Sequence, residues 1–171
     1  RVPGNYHVRL ASRDDESALS EYFGSADRVR RRLDRGDFCL IACCREEIGA
    51  AVWFAPGPAS YVDDWSDIHG CFEVPKGAVW SYDGKGTRFG AWGSMMATLP
   101  QYLRKWEAEC VFTAIDYHNG ESLRGHQSLG YRRLGMLHSV GLPGISRIAC
   151  KRDEDAWSRL PVVWERLQLT A

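Results

Sequence analysis

The stretch Arg88-Phe89-Gly90-Ala91-Trp92-Gly93-Ser94 joins a strand-like run to a helix-like run and decides the fold. The run before it, residues 77–83, is Gly-Ala-Val-Trp-Ser-Tyr-Asp, and residues 94–99 after it are Ser-Met-Met-Ala-Thr-Leu. A loop of small residues at a helix N-terminus exposes unpaired backbone N–H groups, and the helix dipole adds partial positive charge there. Such loops bind anions, most often phosphates. The stretch therefore predicts a phosphate-binding turn, with a loop that only turns the chain as the alternative.

The loop differs from two better-known phosphate motifs. It lacks the pattern Gly-x-x-x-x-Gly-Lys-Ser/Thr, which argues against a nucleotide P-loop. Nor does it follow the first strand of a βαβ unit with an acidic residue about 20 positions further on, which argues against a dinucleotide-binding fold.

A second segment, residues 116–131, reads Asp-Tyr-His-Asn-Gly-Glu-Ser-Leu-Arg-Gly-His-Gln-Ser-Leu-Gly-Tyr. A strand-like run precedes it, so the order is strand, Asn-containing turn, short helix and Leu-Gly-aromatic. This segment resembles a motif of the GNAT superfamily of acyl-CoA-dependent N-acyltransferases: Asn, two residues, Ala or Ser, three residues, usually Tyr, a residue pair, and Leu-Gly-Phe. Asn119, Ser122 and the triplet at residues 129–131 fall in register with it.

The first stretch resembles the upstream motif of the same family, Gln/Arg-x-x-Gly-x-Gly/Ala. Arg88, Ala91 and Gly93 fit that motif, with Ala91 in place of the first Gly. The two motifs stand in the family's order and separation, and the resemblance covers roughly Tyr6 to Arg152. It implies an α/β (α+β) fold, with a mixed, largely antiparallel central sheet flanked by helices.

The composition suits one compact domain. The chain has 171 residues, of which 44% are hydrophobic and 26% charged. We therefore predict a single domain over residues 1–171, with an extra C-terminal helix over residues 153–167. Lys plus Arg and Asp plus Glu number 22 each, whereas nucleic-acid-binding domains are more often strongly basic. No apolar run reaches the roughly 18 residues that a membrane helix needs, so we expect neither a nucleic-acid partner nor a membrane.

The cysteines argue against a metal site. None of them forms a Cys-x-x-Cys pair, and no Cys/His group has the spacing of zinc ligands. Several lie inside apolar runs, where reduced cysteine acts as a small hydrophobic residue. We therefore expect no metal and a cytoplasmic location, where thiols stay reduced.

Local patterns predict the remaining elements. Ser12 and Ser25 are candidate helix caps, and residues 45–47 are a hairpin turn between two apolar runs. Pro100 should kink or split the helix that follows the phosphate loop. Residues 61–75 show no regular pattern. The predicted strands are residues 6–10, 38–44, 48–54, 78–83, 110–116, 132–140 and 145–151.

The densest basic run lies in the second predicted helix. It contains Arg28, Arg30, Arg31, Arg32 and Arg35. We interpret it as a solvated helix face, with attraction of an anionic substrate or cofactor as the alternative.

The resemblance implies a cofactor, acetyl-CoA or another acyl-CoA. Its pyrophosphate would lie on the backbone amides of the phosphate loop, and its pantetheine arm would run beside residues 82–84. Asn119 would hydrogen-bond that arm, although asparagine is equally suited to cap a helix. Trp92 stands where relatives carry a smaller aliphatic residue, and we expect it to pack the helix onto the sheet. The cofactor-binding positions implied are Tyr82, Asp83, Gly84, Arg88, Phe89, Gly90, Ala91, Trp92, Gly93, Ser94, Asn119, Ser122 and His126.

Two residues are the predicted catalytic groups. His126 occupies the position where many relatives carry a tyrosine acting as general acid, and histidine can exchange protons near neutral pH. It could alternatively only line the channel. Asp83 is the first candidate for general base, with Glu73 and His69 behind it. Asp83 could instead bind a cationic amine or cap the turn at residues 84–86.

The leading functional hypothesis is an N-acetyltransferase that transfers the acetyl group of acetyl-CoA to a primary amine of a small molecule. The amine would attack directly in a ternary complex, without a protein nucleophile. One alternative keeps the chemistry but uses a long-chain acyl-CoA or an acyl carrier protein, which the basic run would bind. Another alternative is a non-catalytic acyl-CoA-binding module. A homodimer remains open.

Overall fold

The central sheet consists of five strands. The structure is a computed structural model and describes residues 5–62, 71–142, 145–152, 162–163 and 166–168. The strands of all sheets in the described residues are β1 (His7–Leu10), β2 (Phe38–Cys44), β3 (Glu47–Pro56), β4 (Ala59–Val62), β5 (Cys71–Val74), β6 (Ala78–Gly86), β7 (Cys110–Thr113), β8 (Gly135–Leu142), β9 (Ile145–Arg152), β10 (Val162–Val163) and β11 (Arg166–Gln168). The central order is β1-β2-β3-β6-β7, antiparallel throughout except for the parallel pair of β6 and β7. This confirms the predicted mixed, largely antiparallel sheet.

Within the described residues, four α-helices accompany the sheet: α1 (Glu16–Phe23), α2 (Ala26–Arg35), α3 (Ala91–Lys105) and α4 (Gly120–Ser128). Ser12 caps a 3-10 turn that leads into α1, and Ser25 caps α2 by accepting a hydrogen bond from the backbone of Arg28. Gly24 and Gly36 end α1 and α2 in the left-handed conformation, which glycine adopts without steric cost. Both serine caps were predicted from the sequence.

The core lies on both faces of the central sheet. One cluster packs α1, α2 and the β4–β5 hairpin against one face, with Trp53, Tyr61, Phe72 and Trp80 among its largest buried members. The other cluster packs α3 against the opposite face through Met95, Met96 and Leu99. The site described below lies where β6, α3 and α4 come together.

Helix α3 continues through Pro100 from Ala91 to Lys105, so the predicted split does not occur. Proline removes one helical hydrogen bond and clashes with the preceding turn. The apolar face of α3 packs against the same core cluster on both sides of the proline, through Met95 and Leu99 before it and Leu103 after it. This packing outweighs the local cost, because tertiary contacts supply most of a helix's stability.

Residues 61–75, interpreted as irregular, contain strand residues. β4 and β5 pair antiparallel, with Tyr61 opposite Phe72. The ring of Phe72 stacks on Trp80 at a centroid distance of 4.1 Å. The strands therefore depend on aromatic packing against β6, which no local pattern reveals. Residues 63–70 lie outside the described residues.

The predicted C-terminal helix over residues 153–167 is wrong where the structure describes it. Val162–Val163 and Arg166–Gln168 are strands β10 and β11, and β11 pairs parallel with β5. Paired β-branched valines favour a strand, Pro161 opposes a helix, and the edge of β5 supplies hydrogen-bonding partners. The remaining residues of the predicted helix, 153–161 and 164–165, lie outside the described part of the chain.

Candidate active site

A slot opens where β6 and β7 part. The two strands pair from Ala78 opposite Cys110 to Ser81 opposite Thr113, and β7 ends there. β6 continues to Gly86, so its edge from residue 82 onward has no strand partner in the described part of the chain. Backbone N–H and C=O groups along such an edge need partners. The slot can therefore bind an extended ligand that pairs like a strand.

A β-bulge lies at the start of this free edge. On β3, Trp53 is opposite Tyr82 and Ala51 is opposite Lys85. One β3 residue therefore faces two residues of β6, Asp83 and Gly84. Asp83 has a φ of +46°, which is uncommon for a residue with a side chain. Bulges bend a strand and change the direction of its edge.

Helix α3 begins beside the slot with free amides. Gly90 is its N-cap, with a φ of +81° and no side-chain cap. The first helical hydrogen bond runs from Ser94 N to Gly90 O at 3.0 Å, and Ala91 N donates to Arg88 O. Among the described residues, no backbone acceptor binds the N–H groups of Phe89, Gly90, Trp92 and Gly93. Together with the helix dipole, these groups form an anion site.

The surface of this anion site is open. A Cβ atom added to Gly93 would meet no heavy atom within 4 Å. The side chain of Phe89 is 83% exposed, and Arg88 forms an exposed ion pair with Glu47. The helix start thus offers its amides to solvent, as the sequence predicted.

Trp92 forms one wall of the slot. A Cβ atom on Gly84 would lie 2.7 Å from Trp92 Cη2, and the indole also lies near Gly86. Trp92 belongs to the core cluster on the α3 face and contacts β6. Its ring centroid lies 6.4 Å from that of His126. The indole therefore packs α3 onto the bulged end of the sheet, as predicted, and also lies close to α4.

The side chain of Asn119, for which the sequence left open a cofactor contact or a helix cap, caps α4. Its Oδ1 accepts a hydrogen bond of 3.0 Å from the backbone N of Ser122. Of the two interpretations made from the sequence, the structure shows the helix cap. The cap uses the amide oxygen as acceptor and leaves the side-chain NH₂ group as a donor that the cap does not use.

Contacts with Ser122 and Tyr131 hold His126. Its Nδ1 lies 2.8 Å from the carbonyl oxygen of Ser122 and 3.3 Å from the hydroxyl oxygen of the same residue. The ring makes an edge contact with Tyr131 at 4.9 Å, and burial raises the pKa of Tyr131. A carbonyl can only accept, so Nδ1 carries a proton. Nε2 is therefore the atom available for chemistry.

Three solved structures with 10–13% sequence identity match most of this chain. An acetyltransferase from Trypanosoma brucei is 13% identical, with a TM-score of 0.54, covering 81% of this chain and 100% of that one. The aminoglycoside N-acetyltransferase AAC(6')-Iy, solved in complex with CoA, is 11% identical, with a TM-score of 0.59, covering 80% and 98%. A ribosomal-protein-alanine N-acetyltransferase from Brucella melitensis biovar Abortus 2308 is 10% identical, with a TM-score of 0.58, covering 80% and 99%. No protein-family model and no curated protein matches the sequence.

The chain has the GNAT fold. This confirms the fold that the two sequence motifs implied. The structure shows how the fold accommodates one departure from the family motifs, Ala91 in place of the first Gly of the upstream motif. Ala91 is fully buried, and its Cβ would lie 3.0 Å from a Cβ placed on Gly49 of β3. The missing side chain at Gly49 thus makes room for the methyl group.

A buried polar network lies behind the slot of this GNAT fold, on the α2 side of β6. Arg32 Nη1 binds Asp83 Oδ2 at 2.6 Å, and the side chain of Arg32 is fully buried. The guanidinium carbon also lies 5.4 Å from the ring centroid of Trp53 and 4.9 Å from that of Tyr82. The basic run is therefore not simply a solvated helix face, because Arg32 points into the core.

The same network fixes Tyr82. Its hydroxyl donates to Asp37 Oδ2 at 2.6 Å and accepts from Arg35 Nη2 at 3.1 Å. Burial, followed by the charge of Asp37, raises the pKa of Tyr82. The side chain is 2% exposed, so only its backbone is available to a ligand. The spacing of Val29, Arg32 and Leu33 on one helix face is the sequence signal that predicts burial of Arg32.

Glu73 and His69 were the other candidates for general base. Glu73 on β5 accepts hydrogen bonds from the hydroxyl of Ser60. His69 lies outside the described residues. Within the part of the chain that the structure describes, no three His, Cys, Asp or Glu side chains are grouped so that they could hold a metal ion. The described helices include none with both the length and the apolar character that crossing a membrane requires.

Proposed function

We propose that this chain is a GNAT-type N-acetyltransferase that transfers the acetyl group of acetyl-CoA to a primary amine of a small molecule. The amine attacks directly, in a ternary complex. One observation carries the proposal: the free edge of β6 lies beside an α3 N-terminus whose amides have no backbone acceptor among the described residues. A strand-like arm ending in a pyrophosphate fits both features at once.

The described residues fit such a cofactor. The loop from Arg88 to Ser94 would bind the pyrophosphate through its backbone amides, and the opening at Gly93 leaves room for it. The backbone of β6 over residues 82–84 would pair with the arm, and the side-chain NH₂ group of Asn119 would reach it from α4. Ser122 contributes by holding His126 in place.

The cofactor supplies an acetyl group activated as a thioester. Because the proton on Nδ1 is donated to the carbonyl of Ser122, His126 would act in its doubly protonated form, giving the Nε2 proton to the leaving sulfur and becoming neutral as the thiol forms. We expect His126→Tyr to retain kcat within about tenfold and His126→Phe to lose about 10²-fold. Stopped-flow detection of the released thiol would measure both variants. Equal rates in the two variants would show that residue 126 donates no proton.

Asp83 is a weaker candidate for general base because it is paired with Arg32. Arg32 engages Oδ2, so only Oδ1 remains to accept a proton from the amine. A carboxylate bound to a buried guanidinium is also a poorer proton acceptor, since protonation would leave that cation unpaired. Asp83 is better suited to hold structure than to act as the base.

Several of the solved relatives support an amine acceptor. One structure holds AAC(6')-Iy with a bisubstrate analogue of CoA and acetylneamine, and another holds an aminoglycoside acetyltransferase with sisomicin. The carrier-protein alternative loses support from the basic run, because Arg30 pairs with Glu16, Arg32 with Asp83 and Arg35 with Asp37. Free thiols at Cys39, Cys43, Cys44 and Cys110 favour a cytoplasmic location.

Thermal unfolding with added ligands tests the proposal. At 100 times its dissociation constant, a ligand should stabilise the fold by about 2.7 kcal/mol. We expect this with CoA and acetyl-CoA but not with NAD or ATP, and a larger shift with a long-chain acyl-CoA would favour the long-chain alternative. A panel of primary amines then tests turnover. Cofactor binding without turnover on the whole panel would favour a non-catalytic module.

Two glycine variants make the test specific. At both Gly93 and Gly125, an added Cβ atom would meet no heavy atom within 4 Å, so a side chain can begin at either position without a clash at Cβ. Gly93→Glu places a negative charge on the proposed phosphate site and should abolish the shift caused by CoA. Gly125→Glu on α4 is the matched control and should keep it. Loss of the shift in both variants, or in neither, would contradict the assignment of the phosphate to α3.

A further inference from the structure

We propose that Arg32 is a positioning residue for the reaction. Its ion pair with Asp83 holds the β6 bulge in the conformation that shapes the slot between β6 and β7. This inference rests on the proposed function, since it gives Arg32 a role in the same site. Arg32 acts through Asp83 and does not itself touch the reacting atoms.

The bulge needs outside support. Asp83 has a φ of +46°, in the left-handed region that side chains disfavour. Residues held there persist only where the surrounding structure over-determines them. Because Asp83 is also where β6 gains its extra residue against β3, a return to extended backbone would shift the free edge of the strand.

Arg32 supplies that support from α2. Its guanidinium is fully buried and binds Asp83 Oδ2 at 2.6 Å. Separating a buried cation from a carboxylate that it binds is costly, so this contact favours a conformation that keeps the Asp83 carboxylate within reach. In an ordinary extended conformation, the direction of the side chain at residue 83 would change, and the pair would break.

Helix α2 is itself fixed relative to β6. Caps at Ser25 and Gly36 define its two ends. Just beyond the helix, Asp37 binds the hydroxyl of Tyr82, the residue immediately before the bulge. Arg35 binds Asp37 and Tyr82 together. Two neighbouring β6 residues are thus connected to one helix, which makes α2 a rigid support for the bulge.

Glycine at residue 83 separates this role from chemistry by the carboxylate. Glycine adopts a positive φ at no steric cost. The double variant Arg32→Met/Asp83→Gly therefore keeps the bulge without the ion pair, and it removes both charges of that pair together. A positioning role predicts that this variant is active, whereas a general base at Asp83 predicts that it is inactive.

The experiment measures kcat, the dissociation constant of CoA and amide hydrogen exchange over residues 82–86 in the unliganded protein. We expect Arg32→Met to lower kcat by about 10²-fold, the size of effect that misplaced reacting groups produce, and to speed exchange at these amides. The double variant should recover kcat to within about threefold of the wild type and restore slow exchange. Arg30→Met, which removes an exposed ion pair from the same helix, is the matched control and should change neither readout.

Three outcomes would overturn the inference. One is a double variant that folds and binds CoA but is inactive. If its kcat is as low as that of Asp83→Asn, which removes the carboxylate charge alone, the carboxylate acts in the chemistry. Another is wild-type kcat and exchange in Arg32→Met. If Arg32→Met does not fold, the double variant alone decides, because it lacks both charges of the Arg32–Asp83 pair. A wild-type protein that binds no CoA compound would refute the proposed function itself, and this inference with it.

Discussion

Charged side chains in this protein form two kinds of pair. Arg32 with Asp83 lies in the core, whereas Arg9 with Asp15 lies near the surface at the start of α1. The buried pair is costly to break from one side, because the remaining charge stays without solvent. The surface pair contributes less, since water and salt screen it.

Asp15 makes stability depend on pH. It binds Arg9 through two hydrogen bonds of 2.7 Å and accepts another from Ser12 N. These contacts, the hydrogen bond from Arg9 first, lower the pKa of Asp15 from 3.8 to about 2. A lowered pKa in the folded state stabilises the fold above the unfolded value, and this contribution is lost as the pH falls through the folded value.

We therefore expect Asp15→Asn to destabilise the fold by about 1 kcal/mol at pH 7, allowing for solvent screening. The difference from wild type should shrink as the pH falls from about 4 to about 2. Urea unfolding at several pH values measures it. Asp14→Asn, in the same turn but without an ion pair among the described contacts, serves as the control. A difference that persists at pH 2 would refute the assignment.

The residues that could be predicted from the sequence are those with a local role. Gly90 and Gly93 mark a helix start, and Asn119 precedes a short helix, so their positions follow from turn and cap chemistry. The role of Arg32 depends on a residue 51 positions away. A basic run gives no sign of such a partner. Only its place between Val29 and Leu33 on the apolar face indicates burial.

The helices and strands divide in the same way, into those that follow from local sequence patterns and those that depend on distant contacts. β2, β3 and their turn, like α2 and α4, follow from short-range patterns and were predicted. β4, β5 and β11 depend on partners elsewhere in the chain: Phe72 packs on Trp80, and β11 lies beside β5. Pairing with a distant strand overrides local propensity. This is why the predicted C-terminal helix failed at residues 162–163 and 166–167.

The hairpin turn between β2 and β3 is strained. Arg45 and Glu46 have φ values of +51° and +69°, the combination that Asn-Gly favours in two-residue turns. We expect Arg45→Asn/Glu46→Gly to raise the free energy of unfolding by about 1 kcal/mol. Arg45→Ala/Glu46→Ala keeps the strain and should give no gain. Chemical denaturation compares the variants, and an equal effect of both pairs would contradict a backbone origin.

The packing of α3 on β6 depends on Gly84. A Cβ atom there would lie 2.7 Å from Trp92 Cη2, so Gly84→Ala should cost about 1–3 kcal/mol through overpacking. Adding Trp92→Leu should relieve the clash and recover most of that loss. Gly93→Ala, which meets no neighbour within 4 Å, should be neutral or stabilising. A double-mutant cycle by thermal unfolding gives the coupling, and additive effects would rule out the contact.

At the scale of the whole molecule, a second sheet supports the first. It has the order β10-β11-β5-β4, and its residues Tyr61 and Phe72 pack on Trp80 and Tyr82 of β6. The same strand thus carries the free edge of the slot and the contacts to this sheet. Support for the slot therefore extends to the C-terminal strands.

Ending the chain after Arg152 tests that support. The truncation removes β11, which pairs with β5 over residues 71–73. We expect amide hydrogen exchange to rise at the β5 amides that face β11, because that partner strand is gone, whereas the β5 amides that face β4 should stay protected. Amides of β2 and β3 in the same sample are the internal reference and should stay protected. Unchanged protection in β5 would show that β11 contributes nothing to its stability.

The pairing of Arg32 with Asp83 also constrains how this sequence can evolve. An apolar residue at position 83 alone would leave a fully buried guanidinium without that partner, and a neutral residue at position 32 alone would leave a strained aspartate without its counter-charge. Either first step passes through a less stable protein. The two positions are therefore epistatic: descendants should keep both residues or exchange both.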